Sequence, residues 1–168
     1  MQLNYKQIGQ GPDVVLIHGL FGSLENLNVI AKPLSEHFCV TNVDLRNHGL
    51  SPHSDEMDYT AMANDVVELM TALNIQKAHL VGHSMGGKVA MQIALSHTDL
   101  VDKLVVLDIA PVSYPARHTQ ILEALNAVKN VTTTHYTGSH GRLSALRSPA
   151  YKSALHKKCG SPHAAARH

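Results

Sequence analysis

Two cysteines, Cys39 and Cys159, are all that this chain of 168 residues contains. That is too few for a disulfide framework. Cys39, set in the apolar run Phe38-Cys39-Val40, reads as a small buried hydrophobe. Charge is also scarce: 16% of residues are charged and the formal net charge is +1. Nothing global therefore points to nucleic acid or an anionic membrane as a partner. No apolar run approaches the roughly 20 residues that span a bilayer. No signal-like stretch opens the chain either, so the default expectation is a cytoplasmic protein with no membrane partner. Thirteen histidines are many for this length. They do not fall at Cys/His metal spacings, and His156-Lys157-Lys158-Cys159 lacks a second half, so no metal site is expected. What is present, 44% apolar residues, suits a globular domain with a real core.

The stretch that organises the rest is Ala78-His79-Leu80-Val81-Gly82-His83-Ser84-Met85-Gly86-Gly87. An apolar run ends in Gly-x-Ser-x-Gly, and a helix-like segment follows over 88–96. With glycine at about 7% of residues and serine taken as equally common, chance would supply the motif in about 5% of chains this long. The motif alone is therefore weak, and its strand-before, helix-after context makes it strong. A serine aimed out of the top of a sheet must sit on a very sharp turn, in backbone that is costly for a residue with a Cβ. Gly82 and Gly86 leave out side chains that would clash there. Ser84 Oγ is then exposed, and the Met85 N–H at the helix start points where an oxyanion would form. The bland alternative is a tight Gly-rich turn carrying an inert serine.

Elsewhere the chain alternates. Residues 1–9 read as an edge strand. Val14-Val15-Leu16-Ile17 is a continuous apolar run, the pattern of a strand buried on both faces. His18-Gly19-Leu20-Phe21-Gly22 follows it directly, a loop held close to a site. Helical spacing runs over 26–37, with Pro33 to be accommodated. Residues 38–44 read as the next strand, 45–52 as a polar loop and 59–74 as a helix with Met62, Val66, Leu69, Met70 and Leu73 on one stripe. After the elbow and its helix, 99–103 reads as a turn, 104–109 as a strand and 120–129 as a short amphipathic helix. Alternation of this kind predicts an α/β fold, a mostly parallel sheet with helices on both faces. Sites in such sheets form at the carboxyl ends of the strands. Gly19, Asp44, Ser84 and Asp108 all lie at or just past those ends.

Four motifs, His18-Gly19, Asp44-x-Arg46-x-His48-Gly49-x-Ser51, Gly82-His83-Ser84-Met85-Gly86-Gly87 and Asp108-Ile109-Ala110-Pro111, together resemble the α/β-hydrolase superfamily. More narrowly, they are similar to the bacterial YbfF-type esterase/acyl thioesterase group, over roughly residues 1–130. The resemblance implies a serine hydrolase acting on carboxylic esters or acyl thioesters, with no cofactor and a small-molecule substrate. It implies Ser84 as nucleophile, with the N–H of Leu20 (or Phe21) joining that of Met85 in the oxyanion hole. It assigns His18, Gly19, Asp44 and His48 to bracing the loops. A triad also needs an acid and a base, with the histidine last in the chain. Asp108 is the candidate acid; its alternatives are a plain loop acid, with the triad acid further on. His83 and His79 are set aside as bases, His79 as a packing residue. Dehalogenases and epoxide hydrolases place Asp at the elbow, so they are disfavoured, whereas a cofactor-free haloperoxidase would share the triad. A dinucleotide site is disfavoured because the loop after Ile17 lacks the third glycine of that fingerprint.

Past about residue 130 the character changes. No Asp or Glu follows Glu123, while seven Lys/Arg and five His do. Apolar periodicity fades, and Thr132-Thr133-Thr134 and Ala164-Ala165-Ala166 are low-complexity fragments. The resemblance calls for a cap, further strands and a histidine loop that are not visible here. The reading is an N-terminal part of a hydrolase domain over 1–130 and a basic tail over 131–168, either disordered or out of frame from near Val131. A basic tail that binds nucleic acid is the weaker reading, since Tyr136 and Tyr151 are its only aromatics. On this reading the chain lacks the catalytic histidine unless one of His135, His140, His156, His163 or His168 docks over the elbow. The competing function is then a non-catalytic protein on a hydrolase scaffold, or a non-functional truncated product. An open sheet edge would also limit solubility.

Overall fold

A computed structural model of the chain describes residues 1–113. Within them, five strands form one sheet in the order β1-β3-β2-β4-β5. The strands are β1 (Tyr5–Ile8), β2 (Asp13–Ile17), β3 (Cys39–Val43), β4 (Ala78–His83) and β5 (Val101–Leu107). β1 runs antiparallel to β3, and every other pair is parallel. The helices are α1 (Asn28–Leu34), α2 (Tyr59–Ala72) and α3 (Met85–Ser96).

The apolar run of β2 explains the layering. Successive side chains of a strand face opposite sides. Val15 and Ile17 join one core with Val66, Met70, Val89 and Ile93 from α2 and α3. Val14 and Leu16 join another with Leu27 and Ala31 beneath α1. β2 is therefore sealed on both faces, as its lack of polar alternation requires. α2 starts where Asp58 caps the helix, its carboxylate accepting the Ala61 N–H at 2.8 Å. It stops before Asn74, which turns left-handed at φ 57°.

Three boundaries differ from the sequence reading. The segment 26–37 is not one helix: a 3-10 turn (Leu24–Leu27) precedes α1, and Pro33 lies inside the last turn of α1. Pro33 gives up the N–H that would bond to Val29 O, while the Ser35 N–H still reaches Ala31 O at 2.9 Å. α3 begins at Met85 rather than Lys88, because the strained Ser84 itself is the N-cap. β5 begins at Val101, since its parallel register with β4 starts at Ala78↔Val101, and a short 3-10 turn (Thr98–Leu100) makes the reversal. β5 ends where Asp108 turns left-handed at φ 57°. Cys39 proves half-buried rather than buried, at the very start of β3. The helix read at 120–129, the tail at 131–168 and its five histidines lie outside the described residues. Among the described residues, no helix is long and apolar enough to cross a membrane.

Candidate active site

β4 delivers Ser84 to the carboxyl edge of the sheet. Its backbone sits at φ 51°, ψ −114°, a region costing of order 1–3 kcal/mol for a residue with a Cβ. The surroundings hold it there. The Ser84 N–H donates to Leu107 O at 2.8 Å, tying the turn to the end of β5. The Ser84 carbonyl accepts from the Gly87 N–H at 2.9 Å and the Lys88 N–H at 3.2 Å, closing the first turn of α3. Gly82 and Gly86 face each other across the turn: a Cβ on Gly82 would lie 2.4 Å from Gly86 O. The Met85 N–H belongs to the first turn of α3, whose amides have no acceptor within the helix and carry the positive end of its dipole.

The loop after β2 comes up beside this turn. A Cβ built on Gly19 would lie 3.2 Å from Ser84 Cβ and 2.8 Å from His83 Nδ1, so the bare glycine sets the loop against the serine. The Gly22 N–H donates to Gly19 O at 3.0 Å, and Phe21 takes φ 60° inside that tight turn. Leu20 is half-buried and packs on the core that contains Met85. Leu20, Phe21, Met85 and Ser84 thus converge on one edge.

His18 is buried just behind the loop. Its Nε2 accepts the Leu45 N–H at 3.1 Å, which places the ring proton on Nδ1, where it donates to Gly19 O at 2.7 Å. Only the neutral ring can make both bonds. Burial pushes the His18 imidazole down from 6.5 to about 4, and the His48 ring, 5.0 Å away, adds to the shift. His48 donates from Nδ1 to Arg46 O at 2.9 Å, and burial lowers its pKa as well. The sign of the linkage is clear. A histidine whose folded-state pKa is depressed adds nothing to stability changes above 6.5 and costs stability as pH falls from there toward 4, where only the unfolded chain binds the proton. For His18 that is about 3 kcal/mol across the window. The melting temperature is expected to fall steadily between pH 6.5 and 4, and His18→Asn is expected to make that slope shallower, leaving the share that the buried His48 contributes. A wild-type slope retained in His18→Asn would contradict the assignment.

Asp44 ends β3 as a hub. Its carboxylate accepts from the Leu24 N–H at 2.7 Å, the Leu50 N–H at 2.9 Å and Asn4 Nδ2 at 2.8 Å. Two residues on, Arg46 makes a bidentate pair with Asp65 of α2, Nε to Oδ2 at 2.5 Å and Nη2 to Oδ1 at 2.9 Å. Asp108 follows β5, with its side chain 85% exposed and its Oδ2 3.7 Å from His83 Nε2. Among the described residues, no hydrogen bond joins Ser84 Oγ to an imidazole. No group of three or more His, Cys, Asp or Glu among them is set to hold a metal ion.

Sequence reasoning missed three of these features. Nothing marked His83 as a neighbour of Asp108, because the contact depends on the left-handed turn at Asp108. Asp65 looked like an ordinary helix residue. Asn42 does carry a signal, a buried amide side chain between Val40 and Val43 of β3.

His79 packs, as its place in β4 predicts. Its ring meets Phe38 edge-on at 5.7 Å, and Nδ1 lies 3.1 Å from Asp102 Oδ2 at the far end of the sheet from Ser84.

Known proteins share this arrangement. The family model described as the alpha/beta hydrolase fold matches residues 12–165. Esterase YbfF of Escherichia coli is 52% identical over 116 residues, which cover 68% of this chain and 46% of that protein. The sn-1-specific diacylglycerol lipase ABHD11 of Danio rerio is 46% identical over 125 residues, 73% of this chain and 39% of that one. A solved structure of a marine microorganism esterase has a TM-score of 0.72 and 40% identity, covering 77% of this chain and 51% of its own. The chain spans about half the length of the curated relatives it matches. The strained strand-to-helix turn at Ser84, the mostly parallel sheet beneath it and the matching model agree: this chain belongs to the alpha/beta hydrolase fold family.

Proposed function

We propose that this fold serves a serine hydrolase that cleaves carboxylic esters or acyl thioesters through an acyl-enzyme on Ser84. The observation that carries the reading is the backbone of Ser84, φ 51° and ψ −114°, on a strand-to-helix turn. A buried inert serine gives no reason to store that strain at the exposed edge of a sheet. In this reading Ser84 Oγ attacks the acyl carbonyl carbon, and the carbonyl oxygen becomes an oxyanion. The Met85 N–H and that of Leu20 or Phe21 stabilise it, each such donor contributing roughly 3 kcal/mol in acyl-transfer enzymes. Collapse expels the alcohol or thiol, and water then releases the acid. Asp108 serves as the triad acid; the histidine base that this chemistry needs comes after the acid in this fold, and no histidine among the described residues fills that role. His18, Gly19, Asp44 and His48 hold the loops. Esterase and lipase names among the relatives support the ester class. The thioester, the cofactor-free chemistry and a cytoplasmic setting rest on the sequence reading.

A second reading is favoured by one contact. Asp108 faces His83, and no described histidine is bonded to Ser84 Oγ. On that reading the chain is a non-catalytic hydrolase scaffold. A fluorophosphonate probe and intact mass decide between them. The expected result is a single adduct on the folded wild-type chain and none on Ser84→Ala. A folded sample that takes up no probe leaves the scaffold reading standing.

A further inference from the structure

Asn42 lies on β3 and Asp44 directly follows it, and both side chains reach Leu24. Each is only 2% exposed. Buried polar groups at such a place cost stability unless they are hydrogen-bonded. Both bond to the same residue, Asn42 through Nδ2 alone, since its Oδ1 is buried without a hydrogen-bond partner among the described residues. Asp44 Oδ1 accepts the Leu24 N–H at 2.7 Å, and Asn42 Nδ2 donates to Leu24 O at 3.1 Å. Asn42 Nδ2 also reaches Oδ1 of Asn28, the first residue of α1, at 3.3 Å. Leu24 closes the short loop that begins at Gly19 against Ser84. The other end of that loop is held by His18, through Gly19 O and the Leu45 N–H. The loop is thus pinned at both ends to β3 and the segment just after it.

We propose that Asn42 and Asp44 are positioning residues of the oxyanion hole: together they clamp both backbone groups of Leu24 and so fix the Leu20 and Phe21 amides against Ser84. The chemical consequence rests on the reading of Ser84 as nucleophile, whereas the clamp stands on its own hydrogen bonds. A five-residue loop held only at Gly19 would be free to swing. A misplacement of about 1 Å at reacting groups is enough to cost on the order of a hundredfold in rate.

The test uses the full chain with Asp44→Asn, Asn42→Ala and, as control, Gln7→Ala. Gln7 Nε2 donates to Thr41 Oγ1 of β3 at 3.0 Å and belongs neither to the Asp44 hub nor to the Leu24 clamp. The first readout is amide hydrogen exchange, which needs no reactivity. Leu24 is expected to exchange at least tenfold faster in Asp44→Asn, and Leu20 and Phe21 to shift with it, while Gln7→Ala leaves all three within twofold. The second is the second-order rate of fluorophosphonate labelling. It is expected to fall at least tenfold in Asp44→Asn and Asn42→Ala and stay within twofold in Gln7→Ala, even where the three lose similar thermal stability. Should Asp44→Asn not fold, Asn42→Ala decides alone. Unchanged exchange at Leu24 overturns the clamp. Faster exchange with undiminished labelling overturns the positioning role. If wild type takes no probe, the failure is that of the hydrolase reading, and the exchange of Leu20 and Phe21 settles the clamp by itself.

Discussion

Gly86→Ala is expected to lower the melting temperature by roughly 10 °C, corresponding to about 3 kcal/mol at 2–4 °C for each in a chain of this size. Two effects oppose each other. Gly86 lies in the first turn of α3, where alanine is the better helix former by about 1 kcal/mol. Against that, a Cβ at this position would lie 2.2 Å from Ile17 O and 2.5 Å from His18 O. Both are backbone atoms at the end of a central strand, and Ile17 is wholly buried. Neither can turn away as a side chain could. Relief requires lifting α3 off β2, which loosens the packing of Val89, Ala90 and Ile93. Overpacking of this kind costs about 1–3 kcal/mol and at times more, so the clash outweighs the propensity gain. Gly87→Ala is the control. Its Cβ would meet side-chain atoms first, Ile109 Cγ2 at 2.6 Å and Val106 Cγ1 at 3.0 Å, and its nearest backbone atom, Gly82 O, stands off at 3.1 Å against 2.2 Å at Gly86. Its loss is expected to be less than half as large. Thermal melts followed by circular dichroism measure both, and a melting temperature for Gly86→Ala equal to or above wild type would show that α3 can move without cost.

This comparison also marks what the sequence makes legible. The apolar run of β2 and the Gly-x-Ser-x-Gly turn are local signals, so the strand, the elbow and their order could be read directly. In a sequence Gly86 and Gly87 signal a loop, which puts the helix start at Lys88. In the structure they are helical, because the absence of a side chain is what lets α3 approach the end of β2. Asn42 shows a signal that was available: a polar residue within a buried apolar strand must find partners. Which partners they are depends on the path of the loop after β2, and that is not local. The same holds for Asp108. Its position past β5 was readable, but its approach to His83 follows from a left-handed residue at the strand end. Distances between segments far apart in the chain arise from packing, and the sequence carries no direct trace of them.

The link between Arg46 and Asp65 is the strongest such case, and Asp65→Ala is expected to cost about 3 kcal/mol or more. The Asp65 side chain is 2% exposed and accepts two guanidinium hydrogen bonds in a fork. The amino group of Met1 lies 3.1 Å from the same carboxylate. Removing it leaves a buried guanidinium whose remaining partners are Glu56 O at 3.0 Å and the exposed Glu56 carboxylate at 3.4 Å. Uncompensated burial of a charge is what makes breaking such a pair cost about 3–5 kcal/mol, even where the intact pair contributes little net stability. Two further results follow from that reasoning. The double variant Arg46→Leu, Asp65→Leu is expected to recover much of the loss, because no unpaired charge remains. The cost of Asp65→Ala is expected to persist in 0.5 M salt, because a buried pair is screened far less than a surface one. The damage is also directional. Arg46 O accepts from His48, and Arg46 follows the Asp44 hub by two residues, so the loosened segment is the one that holds the Leu24 clamp. Urea titrations of the single and double variants give the coupling. A single-variant loss below 1 kcal/mol, or a double variant less stable than Asp65→Ala, would mean that α2 is anchored to the β3 loop by its apolar stripe alone.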